Sequence, residues 1–156
     1  MIKLNKKKKA FTLIELIIVI AIIAILTAVT APKVAHIIEK SKVAGVEKTQ
    51  KTFESLVTSK YNKHFYEYPT EAALANKIYT VLSQDDEYKN YKNPLNKAQQ
   101  GVGLLTGTTF TDSNKAIYIF TNTPTAAAIT SIPKGVIYVV IKDAKITSDY
   151  GGSAEF

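Results

Sequence analysis

The sequence predicts an α+β chain in which one long N-terminal helix packs against a C-terminal antiparallel β-sheet head. Three observations predict it. Phe11–Ala31 is apolar with a single charge, Glu15; apolar residues at three-and-four spacing then continue to about His64; and short apolar or alternating runs occur only after Gly101. A length of 156 residues suits one head rather than two domains. The chain has 20 basic and 13 acidic residues, a net charge of +7, and every basic residue is Lys. Without Arg, bidentate guanidinium readout of guanine or phosphate is excluded. Without Cys, so are disulfides, thiolate metal sites and cysteine nucleophiles.

The first ten residues form a basic leader, with Lys3, Lys6, Lys7, Lys8 and Lys9 and no acid. Phe11–Ala31 follows, a 21-residue segment long enough to cross a hydrocarbon core of about 30 Å as a helix. Lysines immediately before it place the N-terminus in the cytoplasm and the rest of the chain outside. A secretory signal peptide shares the basic start, and Val29-Thr30-Ala31 resembles its cleavage site. Against that stand the length of the apolar run, Pro32 just after the cut, and Glu15 inside the core. A plain membrane anchor leaves Glu15 unexplained. A carboxylate in hydrocarbon costs about 2.5–3.5 kcal/mol on insertion scales and asks for a partner.

Lys8-Lys9-Ala10-Phe11-Thr12-Leu13-Ile14-Glu15-Leu16, with the apolar run and Pro32 after it, resembles the processing and methylation motif of the type IV pilin superfamily, which includes secretion and competence pseudopilins. The resemblance covers about the first 32 residues. It implies that a prepilin peptidase cuts between Ala10 and Phe11 and methylates the new Phe11 amine. Most members carry Gly before the cut; Ala10 keeps the small side chain the junction needs. The resemblance further implies a pilin fold, an inner-membrane platform protein and an assembly ATPase as indirect partners, and a homo-oligomeric helical filament. The Phe11 ammonium of one subunit then meets the Glu15 carboxylate of a neighbour. An unpaired charge in an apolar core is strongly unfavourable whereas a paired one is tolerated, so this pair sets register rather than supplying adhesion.

Pro32 removes a backbone donor and restricts the residue before it, which predicts a kink followed by more helix. Val34, Ile37, Ile38, Ser41 and Gly45 follow one stripe; Val46, Thr49, Phe53, Leu56 and Val57 follow another. Glu47 and Lys51 stand at i,i+4, and Gly45 is a second weak point. Residues 32–64 are therefore an amphipathic continuation of the membrane helix at 11–31. The head, 65–156, opens with Thr70 as a helix cap and Glu71 at the positive end of the dipole, for a helix from Glu71 to about Ser83. Asp85–Gly101 reads as a polar loop. Strands are expected at Gly103–Phe110, Ala116–Thr121 and Gly135–Lys142, with Lys145–Tyr150 as a fourth edge. The turn residues Asp112-Ser113-Asn114 and Asn122-Thr123-Pro124 separate them. Ile117, Ile119, Ile137, Val139 and Ile141 alternate as in half-buried strands.

No catalytic constellation, cofactor motif or metal site emerges, and the chain reads as a structural protein rather than an enzyme. His36 and His64 lie far apart on the long helix. Asp85-Asp86-Glu87 lacks the spaced ligands of a calcium loop. The Thr-rich stretches 106–111 and 121–130 suit strands and turns as well as O-glycosylation. Many Gram-negative pilins carry a carboxy-terminal disulfide, so beside the pilin resemblance the absence of Cys implies a Gram-positive or other disulfide-free lineage. By segment the net charge is +5 for the leader, −1 for 11–31, +4 for 32–64 and −1 for the head. The processed chain would carry only +2, so specific nucleic-acid binding is not expected. The resulting expectation is a pilus subunit exported for adhesion, aggregation or twitching motility. The alternatives are a pseudopilin of a secretion or DNA-uptake system and, from another class, a single-span anchored binding module.

Overall fold

Helix α1 (Leu13–His64) opens the computed structural model, which describes residues 11–110 and 113–153. The leader and Asp112 of the Asp112-Ser113-Asn114 turn lie outside the described residues. After α1 come α2 (Glu71–Gln84), α3 (Asp86–Lys89), β1 (Val102–Leu105), β2 (Ile117–Phe120), α4 (Ala126–Ser131), β3 (Ile137–Lys142) and β4 (Lys145–Tyr150). The chain divides into two units, one ending at Ile38 and one beginning at Glu39. In the first, the apolar side chains of α1 stand exposed on every side. The second unit therefore includes the later part of α1 together with the head.

Within that second unit, α1 turns amphipathic. Val43, Val46, Phe53, Val57 and Tyr61 are buried along one stripe, while Glu47 and Lys51 pair at 2.6 Å on the solvent side, as their i,i+4 spacing predicts. Helix α2 begins where expected: Thr70 Oγ1 accepts from the Ala73 amide at 3.2 Å, satisfying one of the donors left open at a helix start. Leu74, Ala75, Ile78 and Leu82 of α2 join the α1 stripe, and both pack on one face of the sheet through Ile117, Ile119, Ile137, Val139 and Ile141. Tyr88 closes this core edge-on to Phe53, 4.9 Å between ring centroids.

The sheet is mixed, not antiparallel. Its order is β1-β2-β3-β4, with β1–β2 and β2–β3 parallel and only β3–β4 antiparallel. The turn-like Asn122-Thr123-Pro124 leads into α4 rather than a hairpin, and a crossover of this length returns the next strand in the same direction. Nor are the central strands half-buried. Tyr118, Phe120, Tyr138 and Val140 on the second face form another core with Ile132 and Val136. Ile-Tyr-Ile-Phe and Ile-Tyr-Val-Val-Ile are continuous apolar runs, the pattern of strands covered on both faces.

The polar loop after α2 is more ordered than its composition suggests. Asp85 caps α3, and the buried Asn93 donates to Gln99 Oε1 at 2.7 Å and to the Lys134 carbonyl at 2.8 Å while accepting from the Leu95 amide. Gly135 sits above it at φ +75°, where a Cβ would come within 2.5 Å of Asn93 Oδ1.

The β3–β4 hairpin turns through Asp143 (φ 52°) and Ala144 (φ 58°), the left-handed geometry that a two-residue hairpin demands and that Gly or Asn usually supplies. Here the Glu71 carboxylate, at the first residue of α2, accepts from both turn amides, at 3.0 Å from Asp143 and 2.6 Å from Ala144. Burial, and after it the neighbouring Glu71 charge, push the Tyr61 phenol upward. Replacing Ala144 with Gly removes the left-handed strain and should raise stability by about 1 kcal/mol. Glu71→Ala returns the exposed turn amides to water and should lower it by about 0.5–1.5 kcal/mol. Urea unfolding of the full chain in detergent checks both signs.

Candidate functional site

The first turn of α1 concentrates the chemistry that the apolar segment otherwise lacks. Thr12 precedes the first helical residue, Leu13, and the Thr12 amide donates to Glu15 Oε2 at 2.9 Å. The Thr12 hydroxyl donates to the same oxygen at 2.8 Å and accepts from the Glu15 amide at 3.3 Å. This reciprocal arrangement is a capping box, Thr at the cap and Glu three residues on, each side chain serving the other's backbone N–H. Thr12-Leu13-Ile14-Glu15 before an apolar run is its sequence signature, and the sequence reading overlooked it by treating Glu15 only as a partner for another subunit. The carboxylate also sits at the positive end of the helix dipole. Glu15 Oε1 takes no hydrogen bond among the described residues, so half of the carboxylate stays open to a further donor.

Phe11, directly before the cap, is 86% exposed. Its nitrogen here is still the peptide nitrogen to Ala10, which lies outside the described residues. The structure thus groups Thr12 and Glu15 within one chain. The Phe11–Glu15 pairing, which needs two processed chains, is not a contact within a single chain.

Beyond this turn α1 is fit for hydrocarbon. Its side chains from Leu13 to Leu26 include eleven large aliphatics that are exposed in a single chain, and among the described residues it is the helix long and apolar enough to cross a membrane. A helix apolar all round belongs in lipid or in the interior of an assembly. The two hydroxyls within the segment are satisfied internally: Thr27 donates to the Ile23 carbonyl at 2.7 Å and Thr30 to the Leu26 carbonyl at 2.9 Å. Pro32 lies inside α1, and helix continues past it.

The other candidates resolve into structural roles. His64 Nδ1 meets Glu67 Oε2 at 2.7 Å and its ring stands edge-on to Tyr68, while His36 is exposed. Asp85, Asp86 and Glu87 belong to the start of α3, and among the described residues no group of three His, Cys, Asp or Glu is placed to hold a metal ion.

Comparison with known proteins gives one match. The sequence model of the prokaryotic N-terminal methylation motif fits residues 5–31, the span that holds Ala10, Phe11, Glu15 and the whole apolar run. No curated protein and no solved structure matches the chain. Residues 5–31 thus carry the N-terminal methylation motif of class III signal peptides, and the long apolar helix that begins there fits a membrane-anchored precursor.

Thr12→Val deletes the capping hydroxyl without changing the apolar segment. The cap is worth about 1 kcal/mol, so amide exchange at Glu15, whose N–H the Thr12 hydroxyl accepts, should quicken about fivefold in detergent, with Thr12→Ser close to the parent chain.

Proposed function

We propose that this chain is the precursor of a type IV pilin, processed at Ala10–Phe11 and polymerised into an extracellular filament. The observation that carries the reading is the methylation motif over residues 5–31, with Phe11 and Glu15 at the start of an apolar helix and a folded head behind it. A prepilin peptidase removes the leader and with it five of the seven net positive charges. Processing leaves an ammonium on Phe11, and methylation keeps its charge while reducing its hydration.

In the membrane, Glu15 is already bonded to its own Thr12, which lowers the cost of holding a carboxylate at the end of an apolar helix. In the filament its open Oε1 receives the Phe11 ammonium of a neighbour. The pair fixes the axial register, and burial of the exposed aliphatic side chains of Phe11–Ala31 among neighbouring helices holds the fibre. Pro32 marks where the helix bends or loosens as it passes from lipid to filament. The head is carried outward for adhesion, aggregation or twitching motility.

Mass spectrometry of the mature chain should find N-methylated Phe11 at the amino terminus; an intact leader overturns the proposal. Glu15→Ala should be processed like the parent yet yield few or no surface filaments by electron microscopy. Normal filament yield from that variant would sink the pairing. Filaments that carry the head epitope and extend far from the cell are expected of a pilin, whereas a short fibre held in the envelope would mark a pseudopilin.

A further inference from the structure

The second face of the sheet is covered unevenly. Side chains alternate along β4: Ile146 and Tyr150 turn to the α1 side and pack on that core, which sends Lys145, Thr147 and Asp149 to the other face. Lys145 and Thr147 stand exposed there, whereas Tyr138 and Val140 of the neighbouring β3 lie in the second core. At this step lies a groove of about 540 Å³, walled on its far side by Thr123, Pro124 and Ile129, at and just before α4. Its size, apolar floor and few polar groups suit a small polar ligand.

Strand register sorts the polar groups by position. Lys142 stands directly opposite Lys145, Val140 opposite Thr147, and Tyr138 opposite Asp149. Four residues of strand separate the lysine pair from the Tyr138–Asp149 pair, a span of about 13 Å. The charges of the lining balance, Lys142 and Lys145 against Asp143 and Asp149, so the groove carries a polarity along the strands and not an excess. Neither lysine forms an ion pair or a hydrogen bond among the described residues, with Asp143 of the turn or with any other. Like charges set directly opposite each other are unfavourable, and an anion between them relieves that.

At the other end, Tyr138 lines the groove yet is only 8% exposed, and its hydroxyl has no hydrogen-bond partner among the described residues. A polar group so nearly buried without a partner calls for an explanation. Burial, and after it the Asp149 charge, push this phenol upward, so it stays protonated and able to donate. Asp149 accepts from the Tyr150 amide through Oδ1 at 2.8 Å, and its Oδ2 takes no hydrogen bond among the described residues.

We infer that this groove binds an acidic oligosaccharide. Its carboxylate or sulfate lies between Lys142 and Lys145, its rings rest on Val140, Pro124 and Ile129, and its hydroxyls bond Tyr138, Thr147 and Asp149. Hydroxyl-bearing walls with one open carboxylate match a ligand rich in hydroxyls. An extended peptide fits less well, because the face of a sheet offers it no free backbone N–H or C=O. A nucleic-acid strand would find no exposed ring to stack on, and Asp149 would repel its phosphates. The inference supplies a ligand for the head and rests, for its use, on the proposed reading that the head is carried outward. The binding itself needs neither processing nor a filament.

The test titrates the full chain, in a detergent without sugar headgroups, with sialyllactose and digalacturonate and with their neutral counterparts lactose and galactobiose. Methyl resonances of Ile129 and Val140 report occupancy. An acidic sugar should shift them saturably and bind about tenfold more tightly than its neutral counterpart. That preference should disappear when Lys142 and Lys145 are both changed to Gln, and persist when both are changed to Arg. Tyr138→Phe should weaken binding about fivefold, with amide exchange in β3 unaltered as the check on folding. No saturable shift with either acidic sugar overturns the inference. So does a preference that survives the Gln variant, or full affinity in Tyr138→Phe. The methylation state of Phe11 and the yield of filaments are read separately, so either reading can fail without the other.

Discussion

The stripe of Val46, Phe53, Val57 and Tyr61 on α1 is the surface on which the rest of the head is assembled. A chain without cysteine has no covalent staple, so its stability must come from buried apolar area. Here one helix supplies the template for both α2 and the first face of the sheet. Each large side chain in that stripe is fully or almost fully excluded from solvent, and losing Phe53 alone would cost about 3–5 kcal/mol. Polar contacts along the same seam fix the position of the outer strand: Gln50 donates to the Ser148 carbonyl and hydroxyl, and Ser148 in turn donates to Glu54. The edge strand is thereby tied to the helix at its middle, where an unpaired strand would otherwise invite a stray partner.

Helices were legible because their signals are local. The stripe of Val46, Phe53 and Val57, the Thr70 cap and the Glu47–Lys51 pair all act within a turn or two, and each appears where the spacing places it. The stripe of Val34, Ile37, Ile38, Ser41 and Gly45 is instead exposed and packs on nothing among the described residues. Strand positions were nearly as legible, since Ile, Val and Tyr runs bounded by polar residues have few other uses, except that β1 stops at Leu105 and the Thr- and Gly-rich 106–110 is not strand. Strand direction was not. Whether Asn122-Thr123-Pro124 reverses the chain or leads into a crossover depends on what Ala126–Ser131 does, and a six-residue helix gives too weak a pattern to decide it. The better clue was the unbroken apolar character of β2 and β3, which fits burial on two faces rather than one. The Asn93–Gln99 hub was invisible for another reason: its partners, Lys134 and Ser113, are 41 and 14 residues away.

At the candidate site the balance is reversed. The residues stood out in the sequence, yet their local geometry did not. Glu15 drew notice because a carboxylate in an apolar segment must have a reason, and one reason turns out to lie three residues away in Thr12. The two roles are compatible because a carboxylate has more acceptor positions than one helix cap uses. A side chain already fixed by its own backbone meets a new donor with less loss of rotamer freedom than a free one. The capping box thus serves the single chain and leaves an acceptor for the neighbour of the proposed filament.

The clasp between Glu71 and the Asp143–Ala144 turn spans 72 residues of sequence. For a chain delivered across a membrane with its N-terminus held back, α2 emerges long before the hairpin that it secures. Neither can close on the other until almost the last strand has crossed. In the proposed topology the head closes only when export is complete, and a subunit stalled before β4 would present β3 with its last neighbour missing.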